Sequence, residues 1–350
     1  MTMLALTVRP MEAGSAELRR VPEPDVADGA ILCETVAVGI DGTDEEIADG
    51  SYGEAPAGRE HLILGHESLG RVLEAPRGSG FATGDLVVGV VRRPDPVPCE
   101  SCAAGEWDMC RNGLFTERGI KGRDGFVSER FRIEPEFGIR PDATLGALAV
   151  LTEPTSVVAK AWEHAELVAG RASWTPRRVL VTGAGPLGLL AALLGVRRGY
   201  EVHVLDVVEG GRKPVLATDL GATYHSRGLD HAGEGFDLII ECTGVGPLAF
   251  HAVRHLAANG VLCLTGISGA GRETSLAVDD LNRDLVLGNR AVVGSVNANR
   301  RHYEAAVRAL AEADRGWLAR MITRRVPLKG ALDALDRHED DVKTIVEVAT

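Results

Sequence analysis

The sequence has a shortage of positive charge. It contains 38 Lys and Arg residues against 50 Asp and Glu residues, which gives a formal net charge of -12 at pH 7. A protein that binds nucleic acid or anionic lipid needs a basic face to neutralise phosphate groups. The charge balance therefore argues against both kinds of partner and favours a small-molecule ligand.

Long hydrophobic runs are also missing. No apolar run approaches the roughly 20 residues that a membrane span needs, and the opening MTMLALTVRPMEAG lacks a basic segment followed by a long apolar core. We therefore expect no membrane partner and a cytoplasmic location. In that reducing compartment the six cysteines, three of them clustered, indicate metal ligands instead of disulfides.

The length and texture of the chain predict two domains. Single cores stop growing at about 250 to 300 residues, and this chain has 350. Its first part is rich in Gly and Pro, with short apolar runs typical of an antiparallel barrel. From Arg177 onward, buried-strand runs such as VLVTG alternate with helical patterns. We predict a catalytic domain at 1–158, a nucleotide-binding domain at 159–297, and a return of 298–350 to the first domain.

A glycine-rich turn opens the second domain. Gly183, Gly185 and Gly188 form G-x-G-x-x-G between a predicted strand and a predicted helix, with Pro186 and Leu187 inside the motif. In this pattern the first glycine permits the tight turn, the second admits a pyrophosphate, and the third lets the helix pack closely. Plain turn glycines are the alternative interpretation.

The nucleotide preference depends on one acidic residue. Asp206 ends the next strand and lies 23 residues after Gly183, where a carboxylate binds the ribose hydroxyls of NAD. Arg212 and Lys213 follow closely enough to reach a 2′-phosphate, so NADP is the alternative. The sequence predicts NAD.

Motifs spread over nearly the whole chain resemble those of one enzyme family. They include GIDGTD, LGHES, VVRR, the cysteine lobe, FTERGI, LTEP, the dinucleotide motif, VGSVN and the terminal KTIVEV. In this order they resemble the zinc-dependent medium-chain dehydrogenases, and among them the glucose dehydrogenases of archaea. The resemblance implies an α/β protein in which an antiparallel GroES-like barrel is joined to a doubly wound Rossmann domain.

The resemblance also implies a catalytic zinc site. Its ligand candidates, in falling order, are His66, Glu153, and then Asp41 and Glu67. Most of the family has cysteine at the position of Asp41, and the harder carboxylate would leave zinc more exchangeable. Thr43 matches a hydroxyl that starts a proton relay, although capping of a turn explains it almost as well.

A second metal site is expected in a lobe near residues 93–113. Relatives with four cysteines there align so that Cys99, Cys102 and Cys110 match the last three. The first position falls near Pro96, so Asp95 is the best fourth ligand, with Glu100, Glu106 and Asp108 as rivals and a metal-free lobe as the alternative. The remaining cysteines, Cys33, Cys242 and Cys263, are expected to be buried fillers.

The substrate prediction also follows from the resemblance. Glu117 and Asn297 match positions that hold sugar hydroxyls. The strand ends near Thr243, Gly244 and Gly266 are expected to hold the nicotinamide, and Asn297 is also expected to contact the cofactor. We expect oxidation of a glucose-like aldose to a lactone by a homodimer or homotetramer. Another polyol, sugar derivative or secondary alcohol is the close alternative, and a non-catalytic nucleotide-binding protein is the distant one.

Overall fold

A computed structural model describes residues 1–269 and 273–349 of the chain. Its strands are β1 (Thr2–Val8), β2 (Glu17–Pro22), β3 (Ile31–Ile40), β4 (Leu62–Ile63), β5 (Glu67–Glu74), β6 (Leu86–Gly89), β7 (Arg92–Arg93), β8 (Thr116–Arg118), β9 (Gly122–Arg123), β10 (Arg130–Ile133), β11 (Gly138–Ile139), β12 (Arg178–Thr182), β13 (Glu201–Leu205), β14 (Thr223–His225), β15 (Phe236–Glu241), β16 (Leu256–Leu264), β17 (Ala291–Gly294), β18 (Ile322–Pro327) and β19 (Lys343–Glu347).

The α-helices alternate with strands mainly in the middle of the chain. They are α1 (Gly42–Ala48), α2 (Glu100–Ala103), α3 (Thr152–Ala169), α4 (Pro186–Arg197), α5 (Arg212–Asp219), α6 (Leu229–Ala232), α7 (Gly246–His251), α8 (Val278–Leu287), α9 (Arg300–Ala311) and α10 (Arg315–Met321). Short 3-10 helices occupy Val26–Asp28, Trp107–Met109, Pro135–Phe137, Ala143–Leu151, Ala252–His255 and Leu328–Leu335.

The chain divides into two compact units. The first contains Met1–Ser156 together with Asn297–Thr350, and the second contains Val157–Val296. No helix in the described ranges is both long and apolar enough to cross a membrane.

The first unit is built on a largely antiparallel sheet in the order β11-β6-β5-β3-β19-β18. In β3, alternate residues are buried at first, and from Ala37 to Ile40 every residue is buried. Alternating burial is the pattern of a strand with one face on a core. The terminal strand β19 pairs antiparallel with β3, and β5 begins opposite Gly39, so Glu67 and Lys343 flank the same strand.

The second unit is a parallel sheet of six strands in the order β14-β13-β12-β15-β16-β17. This is the doubly wound arrangement, in which the strand order reverses between β12 and β15. Its central strands are almost entirely buried, as expected when helices cover both faces of a sheet. The two architectures confirm the predicted α/β class with a barrel-type domain and a Rossmann domain.

Candidate functional site

His66 is the centre of a buried acidic cluster in the first unit. It precedes β5 and is 5% exposed. Its Nε2 lies 3.5 Å from Asp41 Oδ2, and its Nδ1 lies 3.8 Å from Asp44 Oδ1. Burial alone would lower the pKa of His66, but the charges of Asp41 and Asp44 raise the pKa well above its usual value.

Asp41 has two functions because it is also the N-cap of α1. Its Oδ1 accepts hydrogen bonds from the backbone N–H groups of Thr43, at 2.8 Å, and Asp44, at 3.3 Å. The other oxygen, Oδ2, is left facing His66. Burial would raise the pKa of Asp41, but the His66 imidazole outweighs it and holds this pKa below its usual range. Thr43 is half-buried in the first turn of the same helix.

Glu67 is held by a buried lysine from the far end of the chain. The ammonium of Lys343 lies 2.5 Å from both carboxylate oxygens and also donates to the carbonyl of Ile40 at 3.0 Å. Both side chains are 1% exposed as residues. Gly39 provides the space, because a Cβ there would lie 1.9 Å from Glu67 Oε2.

Glu153 enters the cluster from the first turn of α3. The residue is 5% exposed, and burial raises the pKa of its carboxyl to about 8. One donor atom each from His66, Glu67 and Glu153 lies within 4.8 Å of the others, and the same is true of Asp41, Asp44 and His66. The structure thus places the other three predicted ligands, Asp41, Glu67 and Glu153, around His66.

The donor set fits a zinc ion. Ligands at about 2.0–2.2 Å from a tetrahedral zinc lie about 3.3–3.6 Å apart, and the Nε2–Oδ2 separation of His66 and Asp41 is 3.5 Å. Because His66 Nδ1 lies next to Asp44, Nε2 is the ring nitrogen that faces Asp41 and would face the metal. An imidazole with carboxylates is a donor set that zinc accepts.

Two residues of this cluster were not predicted from the sequence. Asp44 is fully buried and accepts from the backbone N–H of Gly65 at 3.0 Å. Its Oδ1 also lies 3.8 Å from His66 Nδ1. The local sequence could have indicated Asp44, since the DGTD run places it three residues after Asp41 on a helix. Lys343 gave no local signal, because its partner Glu67 is 276 positions away.

The cysteine lobe, residues 99–110, gathers three thiols. One atom each from Cys99, Cys102 and Cys110 lies within 4.8 Å of the others. Backbone N–H groups, that of Arg111 first, lower the pKa of Cys99 to about 6, whereas burial raises the pKa of Cys102 to about 11. A thiolate is the form that binds zinc, so Cys99 is prepared for a metal.

Asp95 does not join the three thiols. One carboxylate oxygen accepts from the N–H of Val97 and the other from the amide of Asn112, both at 2.8 Å. The rival carboxylates also have other partners: Glu100 pairs with Arg111, Glu106 lies 3.9 Å from Arg301, and Asp108 accepts from Asn299. Of the remaining cysteines, Cys33 and Cys263 are buried and Cys242 is partly buried.

The glycine motif of the second unit adopts the geometry that its spacing predicted. Gly183 has φ +89°, and a Cβ on Gly188 would lie 1.8 Å from the carbonyl oxygen of Gly183. Gly185 is the N-cap of α4, nothing lies within 4 Å of the Cβ it lacks, and Pro186 and Leu187 begin the helix. The open approach at Gly185 is what a pyrophosphate requires.

The predicted nicotinamide residues of the second unit lie beside this turn. A Cβ on Gly183 would lie 3.0 Å from Thr243 Cγ2, and one on Gly266 would lie 2.0 Å from the nitrogen of Gly244. Glu241, which was not predicted, ends β15 and accepts from the backbone N–H of Thr243 at 2.6 Å. A buried carboxylate therefore fixes the turn after this strand.

Asp206 lies at the carboxyl end of β13. Its Oδ2 accepts from the N–H of Ala184, inside the glycine motif, at 2.6 Å, and its Oδ1 accepts from the N–H of Val208 at 3.2 Å. Arg212 is exposed in the first turn of α5, with Lys213 next to it. The carboxylate thus lies directly against the phosphate-binding turn, and the two cations do not contact it.

The two predicted sugar-binding residues contact each other in the first unit. Asn297 Nδ2 donates to Glu117 Oε1 at 2.7 Å, and Asn297 Oδ1 accepts from the N–H of Ala298 at 2.7 Å. Glu117 is 5% exposed. A carboxylate and an amide are placed together, which is a suitable pair for hydroxyl groups.

Comparison with known proteins places these geometries in one family. A model described as "Glucose dehydrogenase C-terminus" matches residues 146–348, and one described as "Alcohol dehydrogenase GroES-like domain" matches residues 27–140. A glucose 1-dehydrogenase of Methanocella arvoryzae is 40% identical over 357 aligned residues, covering 99% of each chain. One from Halobacterium salinarum is 39% identical, covering 94% of this chain and 95% of the relative.

A solved structure gives the same result. The glucose dehydrogenase of Haloferax mediterranei, determined in complex with NADP, Zn and gluconolactone, is 33% identical with a TM-score of 0.91, covering 99% of this chain and all of that one. The chain therefore belongs to the glucose dehydrogenases of the zinc-dependent medium-chain dehydrogenase family.

Proposed function

We propose that this protein oxidises the C1 hydroxyl of a glucose-like aldose to a lactone and transfers the hydride to NAD(P). The observation that carries the proposal is the set of donors from Asp41, which is partly buried, and from His66, Glu67 and Glu153, which are buried, in a chain 40% identical over its length to a glucose 1-dehydrogenase. The family membership supports the substrate class, and the donor set supports the chemistry.

In this proposal His66, Glu153 and Asp41 hold zinc, and Glu67 lies next to them. When bound, zinc supplies Lewis-acid chemistry that makes the substrate hydroxyl more acidic. The hydroxyl of Thr43, two residues after Asp41, would be the first group of a relay, taking the proton of the substrate hydroxyl while passing its own proton on toward solvent. Asp44 keeps the His66 ring oriented through the 3.8 Å contact with Nδ1.

Sugar and nucleotide are bound by different groups. Glu117 and Asn297 hydrogen-bond sugar hydroxyls. An aliphatic alcohol would leave these two side chains without partners. The amides at the start of α4 face the pyrophosphate, Asp206 binds the adenosine ribose, and Thr243, Gly244 and Gly266 lie along the nicotinamide.

We propose NAD as the preferred nucleotide, although the relative from Haloferax mediterranei was solved with NADP. A 2′-phosphate next to the carboxylate of Asp206 would be repelled, and this carboxylate is fixed by the N–H groups of Ala184 and Val208. A cytoplasmic location is consistent with six free cysteines, and assembly into a homodimer or homotetramer stays a prediction.

A panel of aldoses, polyols and secondary alcohols, each tested with NAD and with NADP in zinc-containing buffer, tests the proposal by absorbance at 340 nm. We expect the highest kcat/KM for an aldose and a lactone as product. A higher value for an acyclic polyol or a simple secondary alcohol would replace the aldose assignment. Activity with none of them, together with retained NAD binding, would favour a non-catalytic nucleotide-binding protein.

A further inference from the structure

Arg92 is a buried arginine directly beside the proposed sugar-binding carboxylate. It lies opposite Glu117 in the β7–β8 pair, and each residue is 5% exposed. Its Nε and Nη2 are both 3.0 Å from Glu117 Oε1. The same oxygen accepts from Asn297 Nδ2 at 2.7 Å. Two hydrogen bonds, from Arg92 Nε and Asn297 Nδ2, and the ion-pair contact of Arg92 Nη2 therefore converge on one oxygen.

The other oxygen of Glu117 is left for a ligand. Within residues 1–269 and 273–349, Oε2 has no hydrogen-bond partner, and it is not among the atoms closed off from solvent. Because all the protein donors are on Oε1, the carboxylate cannot rotate without losing charge-assisted hydrogen bonds. The direction of Oε2 is thereby fixed.

The cysteine lobe and the nearby Phe115 also contact Arg92. Arg92 Nη1 donates to the carbonyl of Asp108 at 3.1 Å, and the guanidinium lies 3.7 Å from the centre of the Phe115 ring. The lobe is itself anchored, because Asn299 Nδ2 donates to Asp108 Oδ1 at 2.8 Å and to the carbonyl of Gly105 at 2.7 Å. A continuous set of contacts thus connects the lobe to Glu117.

We infer that Arg92 is a positioning residue that directs Glu117 Oε2 toward the sugar, and that the cysteine lobe determines sugar affinity through Arg92. The inference rests on the proposed function and deepens it. It assigns to the lobe a role in substrate binding in addition to its own fold. A lobe that only stabilised the chain would leave the KM for sugar unchanged.

Arg93 provides a matched control. It is the next residue along β7, is 4% exposed, forms a partly buried ion pair with Glu134 at 2.8 Å and stacks on Phe137 at 4.0 Å. Like Arg92, it is a buried arginine that contacts a carboxylate and an aromatic ring. Its side chain, however, points away from Glu117, because successive side chains of a strand point to opposite faces. Any general cost of losing a buried arginine will be seen at both positions.

The test compares Arg92→Lys and Arg92→Met with Arg93→Lys and Arg93→Met. We expect both Arg92 variants to raise the KM for glucose about 10-fold or more, because charge-assisted hydrogen bonds orient Glu117. Their KM for NAD and their kcat should stay within about threefold of wild type, which a global defect would not produce. Arg92→Lys should raise the KM for glucose less than Arg92→Met, since lysine keeps the positive charge and loses only the planar set of guanidinium donors.

The lobe is tested with Asn299→Ala, which removes its anchor and leaves Arg92 and Glu117 unchanged. We expect a higher KM for glucose, weaker binding of gluconolactone by calorimetry, and unchanged zinc content. In a double variant with Arg92→Met, the two increases in the KM for glucose should be less than additive in free energy, since both substitutions act through one chain of contacts. This variant also keeps the test available if the Arg92 variants do not fold.

The outcomes separate the two proposals. If the wild-type protein oxidises no aldose, the proposed function fails, and this inference fails with it. A second outcome is that the wild-type protein oxidises glucose while the Arg92 variants have the same KM for glucose as the Arg93 variants. In that case only the positioning role is overturned. An Asn299→Ala variant with wild-type sugar affinity would overturn the role of the lobe and leave that of Arg92.

Discussion

At the level of single residues, His66 is the side chain that the metal site depends on most. Asp41, Asp44, Glu67 and Glu153 are carboxylates, and several of them can replace one another as ligands, whereas His66 is common to both donor groups. Zinc affinity also requires the neutral imidazole, and the acidic neighbours raise the pKa of His66 well above its usual value. Zinc binding therefore competes with protonation of His66.

We predict that His66→Ala removes nearly all activity and most of the catalytic zinc. Loss of groups that only support a ligand costs about 10–100-fold, so loss of the ligand itself should cost at least about 100-fold in kcat/KM. Zinc content and sugar oxidation are measured on the same samples. His61→Ala is the control, because His61 lies near Arg19 and Glu17 away from this cluster. Sugar oxidation near the wild-type rate in His66→Ala would exclude the zinc mechanism.

Asp206 gives a second prediction at this scale. Asp206→Asn keeps the shape of the side chain but removes its charge, and we expect kcat/KM with NAD to fall about 10-fold or more while the value with NADP falls less. Asp237→Asn is the control, since Asp237 likewise accepts backbone N–H groups, from Arg177 at 2.6 Å and Arg178 at 2.9 Å. A wild-type enzyme with higher kcat/KM for NADP would show that Arg212 or Lys213 decides the preference.

At the level of elements, the sequence predicted what local spacing determines. Gly183 and Gly188 follow from a strand, a tight turn and a closely packed helix, and their φ angle and contacts agree with that pattern. Asp95 illustrates the limit. Its position in the sequence is compatible with a ligand, but its side-chain direction is set by Asn112 and Val97, which no spacing rule includes.

The cysteine lobe gives the prediction at this scale. We expect about one zinc per chain to remain in the lobe after the catalytic zinc is stripped. Cys102→Ser should lose this zinc, because it replaces a thiolate ligand. Asp95→Asn should keep it, since both Asp95 oxygens are used in hydrogen bonds. Zinc is counted by mass spectrometry of the metal after gel filtration. Equal loss in the two variants would restore Asp95 as the fourth ligand, and a lobe without zinc in wild-type protein would refute the site.

At the level of the whole molecule, the site depends on residues from distant parts of the chain. Lys343 lies in the last strand and reaches Glu67 only because β19 and β5 both pair with β3. The sequence predicted that a terminal strand joins the first domain, but it contained no indication of this ion pair. Side-chain partners across a sheet depend on register, and register is set by the assembled fold.

This dependence leads to a prediction about stability. Removing one partner of a buried ion pair costs about 3–5 kcal/mol, because the other charge is left uncompensated. Lys343→Met should therefore lower the free energy of unfolding of zinc-free protein by about that amount at neutral pH. The double variant Lys343→Met with Glu67→Gln should recover much of it. Lys329→Met, at an exposed position, is the control.

The pH dependence of that loss has a definite sign. Burial raises the pKa of Glu67 even with Lys343 present, and without the ammonium this pKa would rise further. A carboxyl whose pKa is higher in the folded chain favours folding below its unfolded pKa, and this contribution is lost as pH rises through the folded pKa. The stability deficit of Lys343→Met should thus be small in acid, where Glu67 is protonated, and should grow as pH rises from the unfolded pKa toward the folded pKa of Glu67. Denaturant unfolding across this range measures it, and a deficit that grows toward acid pH would show that Lys343 stabilises the barrel by packing and not through the charge of Glu67.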